Sequence, residues 1–265
     1  MRSASKHTAL YCLSFFLLFI SISSFVKASS TGKYYYEIKI YHLKTQAQED
    51  KLDQYLQNSY LPALHRQGVK NVGVFKPVTG DTSGRRVYVF IPFRSWDQLE
   101  NIDQKLVSDQ QYLTSGEDYI NALYNDEPYT RLETIILKAF PKMIAPEVPN
   151  LTANKTDRVY ELRSYESATE KYNLNKVHMF NNGNEVALFK RLGFNAVFYA
   201  EVIAGSHMPN LMYMTTFNSR PDRDKHWDTF SNDPEWKALV ARPEYQHNVS
   251  KADITFLHPT VYSDF

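Results

Sequence analysis

The sequence predicts an α+β fold in which two ferredoxin-like β-α-β-β-α-β domains pack sheet to sheet. The first observation is a repeat: Tyr36-Glu37-Ile38-Lys39-Ile40-Tyr41 returns 124 positions later as Tyr160-Glu161-Leu162-Arg163-Ser164-Tyr165. The second is that each copy continues in the same order, through a helical stretch ending in Gly68 or Gly193, two apolar strand-like runs and a second short helix. The third is physical. An antiparallel sheet with helices on one face leaves the other face in need of a partner, and the second copy supplies it.

In the first copy, 34–140, alternating aromatic and β-branched residues over 34–42 predict a strand. Residues 47–67 place Leu52, Leu56, Tyr60, Ala63 and Leu64 on one helical face, with Pro62 expected to kink the last turn. Strands over 69–78 and 85–93 flank the turn Gly80-Asp-Thr-Ser-Gly84. Ser95-Trp-Asp-Gln98 is a capping box that opens a helix with Leu99, Ile102 and Leu106 inward. A polar stretch leads to a fourth strand over 130–140, and three prolines mark 141–157 as a linker. In the second copy, 158–260, strands over 158–166, 194–203, 210–217 and 251–259 accompany a helix over 170–192. That helix is expected to bury Leu174, Val177, Leu188 and Leu192. Further helical turns start near Ser219 and at Asp233-Pro-Glu-Trp236, with Asp as cap.

Arg2, Lys6 and His7 precede an apolar stretch over 9–26, and Val26-Lys27-Ala28 offers the small residues of a peptidase site. Residues 1–28 therefore read as a signal peptide, and the mature chain as secreted or periplasmic. The rival reading is an uncleaved membrane anchor, since the stretch approaches spanning length. The sole cysteine, Cys12, lies in the leader, which leaves the mature chain no disulfide and no thiolate chemistry. Removing the leader's three basic residues from 30 leaves 27 against 29 acidic, a net of −2. That balance carries no nucleic-acid footprint, and no membrane contact is expected after cleavage.

Alternation puts Glu37, Lys39 and Tyr41 on one face of the first strand, and Glu161, Arg163 and Tyr165 on the matching face of its repeat. With Ile38, Ile40 and Leu162 assigned to the helix side, these polar groups are expected to look into the interior between the sheets. Two readings stand. The charges pair internally and fix register, or they line a cavity for a small anionic or aromatic ligand, with Arg163 as a forked donor. Tyr199 and Glu201 alternate with Phe198 and Ala200 and are candidates for the same cavity. Asn181-Asn-Gly-Asn184 weakens its helix midway, as a break or as amides lining a cleft, with His178 near the edge. No metal-ligand spacing, Gly-rich phosphate loop or nucleophile elbow is present, so neither metal nor cofactor is expected. The loop Gly205-Ser-His-Met-Pro209 reads as a hairpin turn within reach of a barrel mouth.

Four features resemble the NIPSNAP family of the dimeric α/β-barrel superfamily. They are Tyr160-Glu-Leu-Arg-Ser-Tyr165, Leu188-Phe-Lys-Arg-Leu-Gly193, the strand ending at Phe217, and Arg223 through Asp233-Pro-Glu-Trp236. The likeness covers most of 158–257. The first copy is a weaker match: it keeps Leu61-Pro-Ala-Leu-His-Arg-Gln-Gly68 but has Ser108-Asp-Gln-Gln-Tyr112 where the second has Asp-Pro-Glu-Trp. The resemblance implies a barrel, frequent pairing of domains including homo-oligomers, and no settled reaction. The expected role is binding of a small ligand or protein partner by an exported protein. The alternative is a cofactor-independent monooxygenase or isomerase acting on a small aromatic substrate, which Glu161, Arg163 and Tyr165 would polarise.

Overall fold

This computed structural model describes residues 32–78 and 84–265. The expected leader and most of the turn at 80–84 lie outside the described residues. Aromatic and β-branched runs form β1 (Tyr35–His42), β2 (Gly73–Pro77), β3 (Arg86–Phe93) and β4 (Arg131–Ala139) in the first half. The second half forms β5 (Val159–Glu166), β6 (Asn195–Ala204), β7 (Asn210–Phe217) and β8 (Lys251–Pro259). The order around the closed barrel is β1-β3-β2-β8-β5-β7-β6-β4, with every pairing antiparallel.

The β2–β8 and β4–β6 ladders join the half-sheets along both edges, and Gly32–Phe265 forms one compact unit. The expected barrel is thus closed, its two half-sheets meeting edge to edge within one chain. Open edges expose unpaired N–H and C=O groups, and closure pairs them. The segment at 141–157 is also held to the barrel. Glu147 N–H donates to the Val197 carbonyl at 3.0 Å, and Leu151 is buried among barrel residues.

Both faces of the wall are apolar. Tyr36, Phe75, Phe90, Tyr160 and Phe198 fill the interior, where Phe90 stacks on Phe198 at 5.0 Å. Val87, Val89 and Phe93 face the helices of the first half, and Tyr199, Leu211, Tyr213 and Phe217 face those of the second. All eight residues of β7 are buried, as a strand covered on both sides requires.

Thr45 and Gln48 form a capping box on α1 (Gln46–Tyr55). A π-helical turn, Leu56–Tyr60, then precedes α2 (Leu61–Arg66). The expected kink at Pro62 is met by this wider turn, which suits a residue without an N–H whose ring would crowd the Asn58 carbonyl. α3 (Trp96–Glu100), α4 (Ile102–Val107), α5 (Gln110–Ser115) and α6 (Glu117–Ile120) follow, so the polar stretch after Leu106 contains two short helices. The helix expected over 170–192 breaks into α7 (Glu170–Asn181) and α8 (Glu185–Arg191) at Asn184, whose φ is 73°. Leu174, expected on the buried stripe, is 59% exposed, because Lys176 turns inward to meet Glu185 at 2.9 Å. α9 (Arg220–Asn232), α10 (Pro234–Val240) and a 3-10 turn, Pro243–Tyr245, complete the cover.

Candidate functional site

Strand register makes the two ends of the barrel unlike. At one end, residues 260–265 fold back: Thr260 N–H donates to the Val74 carbonyl at 2.9 Å, and Asp264 N–H to Val72 at 3.1 Å. Phe265 enters the interior against Phe75, Phe90 and Tyr160. At the other end, where β1 and β5 finish, Ile40, Tyr88, Ile135, Leu162 and Met212 give way to polar residues. Arg86, Glu133, Ser164, Asn210, Asp253 and Thr255 surround a cavity of about 490 Å³. That volume lies in the range of small-molecule sites. The loop at 205–209 contributes Ser206 and His207, the latter with a left-handed φ of 68°.

Two buried polar atoms at this mouth, Arg86 Nε and Asn210 Oδ1, have no hydrogen-bond partner. Asn210 is 2% exposed, and its Nδ2 donates to Ser164 Oγ at 2.8 Å, which leaves the carbonyl oxygen unmatched. Such an atom costs about 1–3 kcal/mol unless water or a ligand meets it. On the rim, Glu166, His207 and Asp253 each bring a ligand-type atom within 4.8 Å of the other two. They come from β5, the 205–209 loop and β8, so no local spacing announced them.

The residues singled out by alternation lie elsewhere. Glu161, Arg163 and Tyr165 point outward instead of into the barrel, the first two beneath α9 and Tyr165 against Phe180 of α7. The Glu161 carboxylate, 0% exposed, accepts from Arg163 Nε at 2.9 Å and Nη2 at 2.6 Å. It also accepts from Arg223 Nε at 3.0 Å and Nη2 at 2.6 Å, and from Trp227 Nε1 at 2.6 Å. Arg163 lies 3.6 Å from the centre of a Trp227 ring and donates to the Tyr165 hydroxyl at 2.9 Å. Tyr165 in turn shares a 2.7 Å hydrogen bond with Tyr213. Burial works against the Arg163 charge, yet Tyr213, Tyr165 and Glu161 outweigh it and hold its pKa above the usual range. Both carboxylate oxygens are saturated. The cluster is a lock between sheet and helix, and the interior assignment is corrected: alternation says which residues share a face, not where that face points.

The same correction holds in the first half. Glu37 and Lys39 pair at 3.4 Å on the helix side, and Tyr41 meets Tyr129 edge-on at 5.5 Å. Carried back by 124 positions, Arg223 and Trp227 fall on Leu99 and Asp103. Without those donors, burial raises the Glu37 pKa, and Lys39 offsets it only in part. Tyr199 is buried on the helix side, and Glu201 shares its face, while Phe198 and Ala200 take the interior. Asn181 accepts from Lys142 N–H at 3.2 Å and donates to the Val177 carbonyl at 2.8 Å, which bridges backbone segments and binds no cleft. Asn184 sits exposed at the helix break, and His178 Nδ1 meets the Tyr245 hydroxyl at 3.0 Å. None of these residues lines the open mouth. Sequence reasoning also read Asp233 as a helix cap and missed its arginine: Arg191–Asp233 at 2.8 Å repeats as Arg66–Asp109 at 2.7 Å.

The closed antiparallel barrel with outer helices places the chain in the dimeric α/β-barrel class. Solved structures of similar fold include a candidate monooxygenase from Lactobacillus acidophilus, 13% identical, covering 86% of this chain and 94% of its own, with a TM-score of 0.55. Another, from Fusobacterium nucleatum, is 7% identical, covers 86% and 93%, and has a TM-score of 0.57. The NIPSNAP family model matches residues 160–264, which makes the C-terminal copy the clearer match, as its motifs implied. A NIPSNAP family protein from Agrobacterium tumefaciens is 20% identical over 40% of this chain and 96% of its own, with a TM-score of 0.35. No curated protein matches the sequence.

Proposed function

We propose that the chain is an exported protein that binds a small molecule in the open mouth of its barrel, each half acting as a ferredoxin-like unit. The observation that carries the reading is the contrast between the ends. Phe265 fills one, and the other keeps a cavity of about 490 Å³ with an apolar floor and a polar rim. The floor of Ile40, Ile135, Leu162 and Met212 suits an aliphatic or aromatic body. Arg86 Nε, buried and unmatched, calls for an acceptor, so the ligand's head is anionic or carbonyl. Export rests on the leader's charge, apolar stretch and Val-x-Ala site. Among the described residues no helix is long and apolar enough to cross a membrane. Two neighbours are described as candidate monooxygenases, and at 13% and 7% identity that likeness carries the fold alone.

Anilinonaphthalene sulfonate, an apolar ring system with an anionic head, is the probe for the cavity. Saturable binding with a blue-shifted emission is expected. Thr255→Trp, which fills the mouth from its rim, abolishes it, and Arg86→Gln weakens it about tenfold, equivalent to roughly 1.4 kcal/mol. Unchanged binding in Thr255→Trp would refute the assignment. For export, the protein isolated from its own host is expected to begin at Ser29, and an intact leader would count against cleavage.

A further inference from the structure

We infer that the rim of the open mouth is a binding site for one divalent transition-metal ion of the zinc type, held by Glu166, His207 and Asp253. Their ligand atoms lie within 4.8 Å of one another, with His207 Nδ1 3.0 Å from Glu166 Oε1. Two ligands on one tetrahedral zinc, each bonded at about 2.0–2.2 Å, stand roughly 3.3 Å apart, so the set closes on an ion with small side-chain shifts. The donor chemistry selects among cations. Two carboxylates attract any divalent ion, whereas the imidazole favours zinc and its neighbours over magnesium or calcium. Three protein ligands leave a position free for water or a ligand in the adjoining cavity.

Two further observations point to a cation here. Lys251 Nζ lies 2.8 Å from Asp253 and 3.3 Å from Glu166, so an ammonium already answers the convergent carboxylates. That side chain is 53% exposed, free to swing into solvent, and its single charge answers only one of the two carboxylates. Independently, Asn210 is the cross-strand partner of Glu166, and its buried Oδ1 lacks any hydrogen-bond partner. A carbonyl oxygen at that position serves as a further ligand or accepts a proton from metal-bound water, the usual outer support of such sites.

Zinc titration of the purified, untagged protein by calorimetry tests the site. One ion per chain is expected. His207→Ala and Asp253→Asn each weaken binding by roughly a hundredfold or more, since loss of an outer-shell partner alone costs 10–100-fold. Both residues are accessible, with His207 52% and Asp253 46% exposed, so the fold survives either change, as circular dichroism will verify. Lys251→Ala tightens binding by removing the competing cation. Absence of saturable uptake, or wild-type affinity in both His207→Ala and Asp253→Asn, overturns the proposal. Anilinonaphthalene sulfonate reads the cavity without zinc, so failure of the metal site and failure of the ligand reading are separable.

Discussion

Replacing Glu161 by glutamine tests whether the cluster under α9 is a lock. The carboxylate takes two hydrogen bonds from Arg163, two from Arg223 and one from Trp227. A glutamine oxygen can replace one carboxylate oxygen, but the amide NH₂ then faces donors, and Arg163 loses its counter-charge, while Arg223 keeps Asp224 at 2.9 Å. Arg163 is 8% exposed, so water compensates little. Breaking a buried pair by removing one partner costs about 3–5 kcal/mol. For a chain of this size each kcal/mol lowers Tm by about 2–4 °C, so a drop of roughly 6–20 °C is expected. Urea unfolding followed by tryptophan fluorescence at pH 7 measures it, with Trp227 reporting from inside the cluster. Glu37→Gln, at the equivalent place in the first half, is the internal control. A loss under about 1 kcal/mol, the worth of an exposed pair, would show that Glu161 locks nothing.

Three other outcomes are expected. Glu37 has a folded-state pKa raised by burial, so its stabilising contribution is complete below the ordinary carboxylate range, about pH 4.3, and is lost as pH rises through the folded value. Glu37→Gln therefore gains on the wild type between pH 4 and 7 in unfolding free energy, and a gap independent of pH contradicts the assignment. Lys176→Met, which strands Glu185 beneath α7 and α8, costs about 3–5 kcal/mol, whereas Lys176→Met with Glu185→Leu is nearly neutral; equal losses in the two variants count against a buried pair. Phe265→Ala removes a ring that is 2% exposed and costs about 3–5 kcal/mol in urea melts. A loss below 1 kcal/mol would place Phe265 outside the interior.

The fold was largely legible because its determinants are local. Ser95, Ser219 and Asp233 cap helices where the sequence placed helix starts, and the run 181–184 breaks one. The repeat announced two similar halves. What remained hidden was direction. A strand in a helix-wrapped barrel is buried on both faces, so Glu161 and Leu162 alternate without stating which one meets the helices. The repeat held the missing signal: Arg223 and Trp227 change to Leu99 and Asp103 exactly where Arg163 changes to Lys39, which ties that face to the outer helix. The rim cluster had no such trace, because Glu166, His207 and Asp253 meet only when β5, β7 and β8 pair.

Closure within one chain also explains the chemistry of the open mouth. At the 124-position spacing, Asn210 corresponds to Arg86, Met212 to Tyr88, Ser164 to Ile40 and Glu166 to His42. Equivalent strands from the two halves thus bring unlike residues to one mouth. Two identical chains forming the same barrel would set arginine against arginine, or amide against amide, across the axis. A single chain that forms both halves is free of that constraint. The first half supplies Arg86, and the second supplies Asn210, Asp253 and the rim carboxylate Glu166. An amphipathic ligand entering over the apolar floor therefore meets Arg86 and Glu133 from the first half and a more acidic rim from the second. An anionic head turns toward β3, and a cation toward β5 and β8. The anion-seeking cavity and the cation-seeking rim are compatible because the two halves carry different residues at equivalent positions around one opening.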